Sequence, residues 1–460
     1  MTDIAKRNRY TYGLGTVGRD MVYNMVSMYL IYYLTEILNL PDFTMWGMTI
    51  VLTIMRVFDA VNDPFMGFIV DNTHTRFGKF KPWIAIGGLI SGIVTVLLFA
   101  DLGLTGAGYV ITFAIIYLIW DLSYGLNDIA YYSMLPSLTI DQKEREKTGS
   151  FLKICANVGI YLLVVGILPI TKALGGDKKA WLIFALGVVI ITWAFLAFPL
   201  LGVKENRSIY KKEENTSLKE MFSILFKNDQ LLYTAISMGL FMIGYLTTTS
   251  FGMFFFKYAF KNESMYPVFA AILGMSQLLA LSVFPLFSKN HSRKQLYAFA
   301  TGLVVLGYLI FFFSPMNMIL IGLAGVMIFI GEAFIQLLML MFLADTVEYG
   351  QWKLGRRNES ITFSIQPFVN KIGGAIAYGI VGTTLIISGI NSDPTPEDVS
   401  NTGLLIMKLA MLILPLSIIA VSYLIYHFKF KIDKEMFDNI VSDLVKRGDF
   451  DMAGVDSHHS

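Results

Sequence analysis

Residues 180–229 read AWLIFALGVVIITWAFLAFPLLG followed by VKENRSIYKKEENTSLKEMFSILFKND. The first part, 180–202, contains no charged residue. It is long enough to cross the hydrocarbon core of a bilayer as an α-helix, which takes about 20 residues. The second part, 203–229, is polar and basic and is the longest break between apolar runs. A spanning helix followed by a long water-exposed connection indicates a helical membrane protein.

The composition of the whole chain agrees with this interpretation. Its 460 residues are 55% hydrophobic and 15% charged, with a mean hydropathy of +0.60. Soluble domains are about 45–50% apolar and about 25% charged. The chain therefore cannot cover itself with a water-compatible surface, which excludes a soluble enzyme and a nucleic-acid-binding protein. The only cysteine, Cys155, cannot form an internal disulfide and is expected to be a small buried hydrophobe.

Apolar runs of similar length recur along the chain on both sides of 180–202. The runs are continuous rather than alternating, which excludes a β-barrel. The fold class is therefore an all-α polytopic membrane protein. The twelve predicted spans are 10–38, 43–70, 82–101, 107–135, 149–171, 180–202, 230–260, 265–288, 295–314, 317–345, 360–389 and 402–428.

Basic segments alternate with segments nearly free of Lys and Arg. The basic ones are 71–81, 141–147, 203–229, 289–294 and 353–357. Neither Lys nor Arg occurs in the alternate segments 39–42, 102–106, 315–316 and 390–401. The remaining alternate segments are exceptions, because they contain or adjoin the following lysines: Lys172, Lys178, Lys179, Lys257 and Lys261. Because basic loops stay in the cytoplasm, both termini are predicted to be cytoplasmic, as an even number of spans also requires.

The long break after the sixth span predicts two six-helix halves, the plan of the major facilitator fold. Residues 1–202 are predicted to form the N-terminal bundle. Residues 203–229 are the predicted cytoplasmic linker, and 230–428 the C-terminal bundle. Residues 429–460 are the predicted cytoplasmic tail, which begins with an amphipathic surface helix and ends in disorder.

Charged residues inside spans are costly and therefore indicate functional sites. On the second span, Asp59 and Asp63 lie four residues apart and so project from one helix face, with Asn62 on the same side. Two neighbouring carboxylates repel each other unless one is protonated or a cation lies between them. Oxygen ligands suit a hard cation. The alternative is that Arg56 pairs with these acids structurally, although it can neutralise only one of them.

A second polar group lies on the first and fourth spans. Arg19 and Asp20 follow Gly13, Gly15 and Gly18, small residues that permit close helix contact. The fourth span carries a cluster of aromatic and polar side chains, Tyr124, Asn127, Asp128, Tyr131 and Tyr132. Rings that stack and carboxylates that accept hydrogen bonds suit a sugar, whereas the rings alone would be typical of packing.

Three further spans carry isolated polar residues. Lys153 on the fifth span and Lys371 on the eleventh are predicted countercharges for Asp20 and Asp128. Glu332 and Gln336, one turn apart on the tenth span, have no assigned role.

Five segments resemble the glycoside–pentoside–hexuronide:cation symporters, in order along nearly the whole chain. They are RVFDAVNDPFMGFIVDNTHTRFGKFKPW at 56–83, DIAYYSMLPSLTIDQKEREK at 128–147, NDQL at 228–231, ADTVEYGQWKLGRRNESITFS at 344–364 and NKIGGAI at 370–376. The resemblance implies a twelve-helix symporter that moves Na⁺, Li⁺ or H⁺ together with a glycoside. It matches the cation site, as a Na⁺ site, to Asp59, Asn62 and Asp63. It matches the sugar site to Arg19, Asp20, Tyr124, Asp128, Tyr132, Lys153, Gln366 and Lys371.

The chain also departs from the family pattern. Gly125 stands where a threonine hydroxyl belongs to the cation site, and Asp121 stands at a glycine position. Tyr132 and Gln336 replace tryptophans, and Lys153 replaces an arginine. The sugar pocket is therefore expected to be less aromatic and richer in hydrogen-bonding groups, and the sugar itself is left open, as are the roles of Asp121, Glu332 and Gln336.

The expected function is cation-coupled uptake of a glycoside or oligosaccharide, driven by Na⁺ or, alternatively, by H⁺. The alternatives are a lysolipid transporter of the same fold, an uncoupled sugar facilitator, a membrane enzyme and a transport-derived sensor. The enzyme alternative lacks a histidine cluster, a nucleotide motif and a reactive cysteine, and the sensor alternative lacks a large added domain. We expect a monomer in the bacterial cell membrane (the inner membrane where there are two), crossing it many times. Its expected partners are a sugar, a monovalent cation and the bilayer, with no cofactor and no nucleic acid.

Overall fold

The computed structural model describes residues 3–204, 226–262, 264–390 and 399–449, and these residues are almost entirely helical. Most of the predicted linker 203–229, part of the segment 390–401 and the predicted disordered end of the tail lie outside the described residues. The helices are α1 (Asp3–Tyr32), α2 (Asp42–Asp71), α3 (Lys81–Leu98), α4 (Gly106–Ser133), α5 (Leu135–Leu138), α6 (Gln142–Ala173), α7 (Lys178–Gly202), α8 (Asp229–Phe254), α9 (Met265–Asn290), α10 (Arg293–Phe313), α11 (Met318–Leu354), α12 (Glu359–Ile387), α13 (Asn401–Lys408), α14 (Leu414–Lys429) and α15 (Lys434–Lys446).

Three of these helices run directly into a π-helical turn. Tyr33–Ile37 extends α1, Phe255–Ala259 extends α8, and Leu409–Ile413 joins α13 to α14. Within the described residues, ten helices are long and apolar enough to cross a membrane, the joined helix 401–429 counted as one. Because α1 and α2 are not among the ten, the count of twelve spans and the side on which the termini lie stay predictions.

Three helices extend well beyond their predicted spans, and the first of them, α1, begins at Asp3 rather than near residue 10. α6 begins at Gln142 rather than near residue 149, and α11 continues to Leu354 rather than ending near 345. The charges in these extensions suggested loops, but several are buried: Arg145, Glu146 and Glu348 are each fully inaccessible to solvent. The helices continue past the apolar runs because packed protein, rather than water, surrounds these polar turns.

The described residues divide into two compact units. The first comprises the described parts of 1–224, 350–364 and 441–460, and the second those of 225–349 and 365–440. In the first unit α1 packs against α6 and α7, α3 packs against α4 and α7, and α2 packs against α4. A Cβ atom at Gly18 would collide with the backbone of Thr192, and one at Gly159 with the backbone of Val17. The prediction that glycines on the first span allow close helix contact is confirmed at Gly18.

In the second unit α8 and α10 pack against α14. An aromatic cluster marks this contact: the Tyr297 and Tyr426 ring centroids are 4.5 Å apart, and those of Phe342 and Tyr426 are 4.4 Å apart. The Ser292 hydroxyl accepts a hydrogen bond from the Gln295 amide and so caps α10. Such caps satisfy amides that the first turn of a helix leaves unpaired.

The tail begins with the predicted amphipathic helix, α15. Its apolar residues Phe437, Ile440 and Leu444 are buried. The Arg447 guanidinium donates to the carbonyl of Trp352 at 2.8 Å, so this end of the tail is held against protein.

Candidate functional site

The centre of the candidate sugar site is an ion cluster between α1 and α4 in the first unit. The Arg19 side chain donates from Nη1 to Asp128 Oδ1 and from Nη2 to Asp20 Oδ1, each at 2.8 Å. The Arg19 side chain is 3% exposed, whereas those of Asp20 and Asp128 are 14% and 20% exposed. The arginine is thus buried beneath two carboxylates that a small molecule can still reach.

Aromatic rings enclose the Arg19 guanidinium. Its central carbon lies 4.8 Å from the Tyr131 ring centroid and 4.7 Å from that of Tyr132. A cation over an aromatic face is stabilised by the ring quadrupole, more so where water is excluded. The Tyr131 ring is fixed in turn, because its hydroxyl and that of Tyr12 each donate to the other residue's backbone carbonyl.

Lys153, a predicted countercharge, does not pair directly with Asp20 or Asp128. Its ammonium lies 5.5 Å from the centroid of the Tyr132 ring, and Lys153 makes no ion pair among the described residues. Arg19 therefore supplies the direct countercharge to both aspartates, because separate nitrogens of its guanidinium donate to each carboxylate.

Tyr124 belongs to a stack of rings that sequence analysis did not anticipate. Its ring centroid is 5.4 Å from that of Trp120 and 5.1 Å from that of Tyr23 on α1. The stack continues along α4 through Tyr117 and Phe113. The spacing of three or four residues along α4 is a signal from which this stack could have been found. The rings form an apolar wall beside the carboxylates, of the kind on which the C–H face of a sugar stacks.

The predicted cation residues lie together on α2. Asp63 is buried, and Asp59 and Asn62 are half-buried. The side chain of Arg56 lies outside the described part of the chain. Gly125 is on α4, which packs against α2, and a Cβ atom there would meet no other atom within 4 Å. The described residues hold no group of three His, Cys, Asp or Glu side chains spaced to bind a metal ion. A hard cation here would need two carboxylates together with amide or backbone oxygens.

The other two predicted sugar ligands lie in the second unit. Gln366 and Lys371 are both on α12 and half-buried, and Gln366 Oε1 is a buried acceptor that has no hydrogen-bond partner among the described residues. Of the residues with no assigned role, Asp121 is buried on α4, Gln336 is half-buried on α11, and Glu332 is fully buried there.

A second ion cluster, which sequence analysis missed as a site, joins the end of α2 to the start of α12. Lys79 Nζ lies 2.9 Å from Asp71 Oδ1 and 2.9 Å from Glu359 Oε2, and all three side chains are at most 5% exposed. The Asp71 carboxylate also accepts hydrogen bonds from the Ser360 and Ile361 amides at 3.0 and 2.8 Å. Charge and backbone donors together therefore hold the first turn of α12.

The turn that presents Lys79 depends on a glycine. Gly78 has φ of 108°, a conformation that other residues rarely adopt, and its amide donates to the Thr75 carbonyl. The RxGKxKP motif within 76–82 was the available signal. It identified a family resemblance without showing which acids the lysine would contact.

Comparisons with known proteins agree with this fold. A family model described as MFS/sugar transport protein matches residues 11–434. A raffinose carrier protein of Pediococcus pentosaceus is 34% identical over 454 residues, which cover 95% of this chain and 71% of that protein. A lactose permease of Lactobacillus delbrueckii subsp. bulgaricus is 32% identical, covering 95% and 72%. An isoprimeverose transporter of Lactiplantibacillus pentosus is 24% identical, covering 83% and 80%.

Solved structures show the same fold. The chain matches an E. coli fucose:proton symporter with a TM-score of 0.66 at 12% identity, covering 93% of this chain and 98% of that one. It matches a proton:xylose symporter with a TM-score of 0.64 at 14% identity, covering 95% and 99%. The chain therefore belongs to the MFS/sugar transport protein family, the glycoside–pentoside–hexuronide symporters of the major facilitator superfamily, and is a multi-pass membrane transporter rather than an enzyme.

Proposed function

We propose that this protein is a secondary active symporter that couples inward movement of a monovalent cation to uptake of a neutral oligosaccharide by alternating access. The observation that carries the proposal is the Arg19 side chain held between Asp20 and Asp128 beside stacked tyrosines. Carboxylates fixed in this way accept hydrogen bonds from sugar hydroxyls, and the rings stack on the sugar. The names of the raffinose, lactose and isoprimeverose transporters point to the same substrate class.

The charge balance of the site favours a neutral sugar over a hexuronide. Among the predicted sugar ligands of the first unit, Arg19 and Lys153 carry two positive charges and Asp20 and Asp128 two negative ones, so the charges of this unit's part of the site sum to zero. An added sugar carboxylate would leave a net negative charge in a partly desolvated pocket, which is unfavourable. The same polar pocket argues against the lysolipid alternative, which needs an apolar cavity.

The coupling cation is proposed to bind at Asp59, Asn62 and Asp63 on α2. Na⁺ is the first choice because an amide oxygen can ligate a metal ion, whereas a simple proton site has no need of one. H⁺ is the alternative, since Gly125 supplies no side-chain oxygen. Because α2 packs against α4, a cation on α2 would stabilise the helix that carries Asp128. The coupling is then reciprocal, and the sugar strengthens cation binding by the same factor.

A single cation per sugar supplies enough energy for accumulation. Moving one charge inward across about 100 mV yields about 2.3 kcal/mol. A tenfold cation gradient adds about 1.4 kcal/mol. The sum, about 3.7 kcal/mol, supports a sugar gradient of a few hundred-fold. The proposal therefore needs no cofactor and no second subunit.

The Lys79 cluster is proposed to hold closed one side of the transport path, the side predicted to be cytoplasmic. Alternating access requires a contact that is stable in one conformation and separates in the other. Three buried charges and the capped first turn of α12 meet this requirement, because Lys79 bridges Asp71 and Glu359 only while the cluster is assembled, although Glu359 also pairs with Arg357.

Uptake into proteoliposomes tests the proposal directly. Labelled raffinose and lactose are offered under an imposed Na⁺ gradient, an imposed pH gradient, or neither, with glucuronate as the charged comparison. We expect a neutral sugar to accumulate above equilibrium under at least one gradient and glucuronate not to accumulate. Equilibration without accumulation under either gradient would show a facilitator, and preferred uptake of glucuronate would contradict the neutral-sugar assignment.

A further inference from the structure

Glu332 on α11 is a buried acid that the proposed mechanism does not use. Its side chain is fully inaccessible to solvent, and each carboxyl oxygen exposes less than 1 Å². Neither oxygen has a hydrogen-bond partner, and Glu332 makes no ion pair in the part of the chain that the structure describes. The neighbouring residues Ala333, Phe334 and Ile335 are also buried, so water does not reach the group from its own helix.

The titratable group that faces Glu332 from another helix is Tyr308 on α10, which in turn faces Tyr245 on α8. The Tyr308 hydroxyl lies 2.6 Å from Thr248 Oγ1, and Thr248 Oγ1 donates to the carbonyl of Met411 at 2.9 Å. Because the threonine proton is used on the Met411 carbonyl, the Tyr308 hydroxyl must donate to Thr248. Tyr308 therefore offers lone pairs, not a proton, to its other neighbours.

The other described groups near Glu332 also include no basic side chain that pairs with it. Tyr245 accepts a hydrogen bond from Gln277 Nε2 at 3.4 Å, which brings a neutral amide from α9 to the cluster. No lysine, arginine or histidine of the described residues pairs with Glu332. The two tyrosines, the threonine and the glutamine are neutral groups, and none of them compensates a negative charge.

An ionised carboxylate is energetically unfavourable in this buried, uncharged environment. Burying an unpaired charge costs far more than burying a neutral polar group, and proteins respond by neutralising the charge. There is also no space for a sugar or for a hydrated metal ion at atoms that are fully enclosed. The one ligand that fits is a proton.

We propose that Glu332 is a proton-binding site in the second unit, separate from the cation residues on α2, and that its proton is bound in the conformation seen here. The proton is taken up as the side chain enters this enclosed environment and released to water in a conformation that hydrates it. The chain therefore carries a pH-responsive group even if Na⁺ is the coupling ion at Asp59 and Asp63.

Infrared spectroscopy tests proton occupancy without any assay of transport. A protonated carboxyl group has a carbonyl absorption that a carboxylate lacks. At neutral pH we expect the wild-type protein to show this band and the Glu332→Gln variant to lack it. Glu348→Gln is the matched control: Glu348 is buried on the same helix but has partners, and its replacement should leave the band in place.

Identical carboxyl absorption in the wild type and Glu332→Gln would overturn the proposal, as would loss of the band in Glu348→Gln alone. Should Glu332→Gln fail to fold, Glu332→Asp keeps a titratable group in a shifted position and must shift the band. An unshifted band would likewise overturn the proposal.

The pH dependence of sugar exchange supplies a functional readout of the same proton, and its interpretation rests on the proposed function. With labelled raffinose and saturating Na⁺ on both sides, wild-type exchange should fall by about tenfold per pH unit in its alkaline limb, the slope of a one-proton equilibrium. Glu332→Gln, which is permanently neutral, should remove that slope. An unchanged slope in the variant would contradict the inference. Absence of raffinose exchange from both proteins would instead count against the proposed substrate, and would leave the infrared result standing.

Discussion

The ion cluster at Arg19 offers the sharpest test of the site, because one side chain holds two acids. The perturbation is a double-mutant cycle of Arg19→Gln and Asp128→Asn. Arg19 Nη1 and Asp128 Oδ1 are 2.8 Å apart, and the arginine is almost fully buried. Removing one partner of a buried ion pair costs about 3–5 kcal/mol. Since Asp128 is partly exposed, we expect Arg19→Gln to lower the free energy of unfolding by about 3 kcal/mol, the lower end of that range.

The double variant should lose less free energy of unfolding than the sum of the losses in the two single variants. Asp128→Asn removes the charge that Arg19→Gln leaves uncompensated, so the two changes are not independent. A hydrogen bond to a charged group contributes about 1.5–3 kcal/mol. The expected interaction energy of the cycle has that size, which corresponds to about 10- to 150-fold in an equilibrium constant.

The measurement is denaturant unfolding of the detergent-solubilised protein, followed for the four members of the cycle and accompanied by raffinose binding. Lys178→Gln is the matched control. Lys178 Nζ pairs with Asp101 Oδ2 at 2.9 Å, but both side chains are more than 40% exposed. An exposed pair contributes at most about 1 kcal/mol. Additivity within about 0.5 kcal/mol would show that Arg19 and Asp128 do not interact and would refute the description of the site.

The contribution of the Lys178–Asp101 ion pair to stability depends on pH in a defined way. The Lys178 ammonium and the Gly103 amide hold the pKa of Asp101 below its usual value. The contribution of the pair is therefore present above the ordinary pKa of an aspartate and is lost as the pH falls through the lowered one. The difference between wild type and Lys178→Gln should accordingly disappear in acid.

Two further predictions concern the cation site and the Lys79 cluster. Asp63→Asn should abolish sugar accumulation under a cation gradient while leaving part of the downhill exchange, and wild-type accumulation in that variant would exclude Asp63 from the cation site. Lys79→Met leaves Asp71 buried without the lysine and Glu359 paired with Arg357 alone, at a cost of about 3 kcal/mol, the lower end of the range for a broken buried ion pair. The closed contact should therefore lose population, and a cysteine placed by Ser360→Cys should react with a thiol reagent at least about a hundredfold faster. An unchanged labelling rate would show that the cluster does not control access.

The sequence by itself determined the class of the protein and the placement of its polar residues along the helices. A bilayer satisfies no backbone hydrogen bonds, so long apolar runs within it can only be helices. The four-residue spacing of Asp59 and Asp63 places them on one face of α2 for the same local reason, the period of the helix. Ordered motifs along the chain were also enough to indicate the family before any contact was known.

Only the tertiary structure decided which charges meet. Arg19 and Asp128 are separated by 109 residues, and Lys79 and Glu359 by 280. Sequence analysis assigned countercharge to Lys153 and Lys371, whereas packing places the Lys153 ammonium over the Tyr132 ring and pairs both aspartates directly with Arg19. The sequence likewise did not show that Glu332 lacks an ion-pair partner among the described residues, because this depends on which side chains surround α11. Helical periodicity fixes the face on which a side chain lies, but the partner opposite that face is set by how distant helices pack.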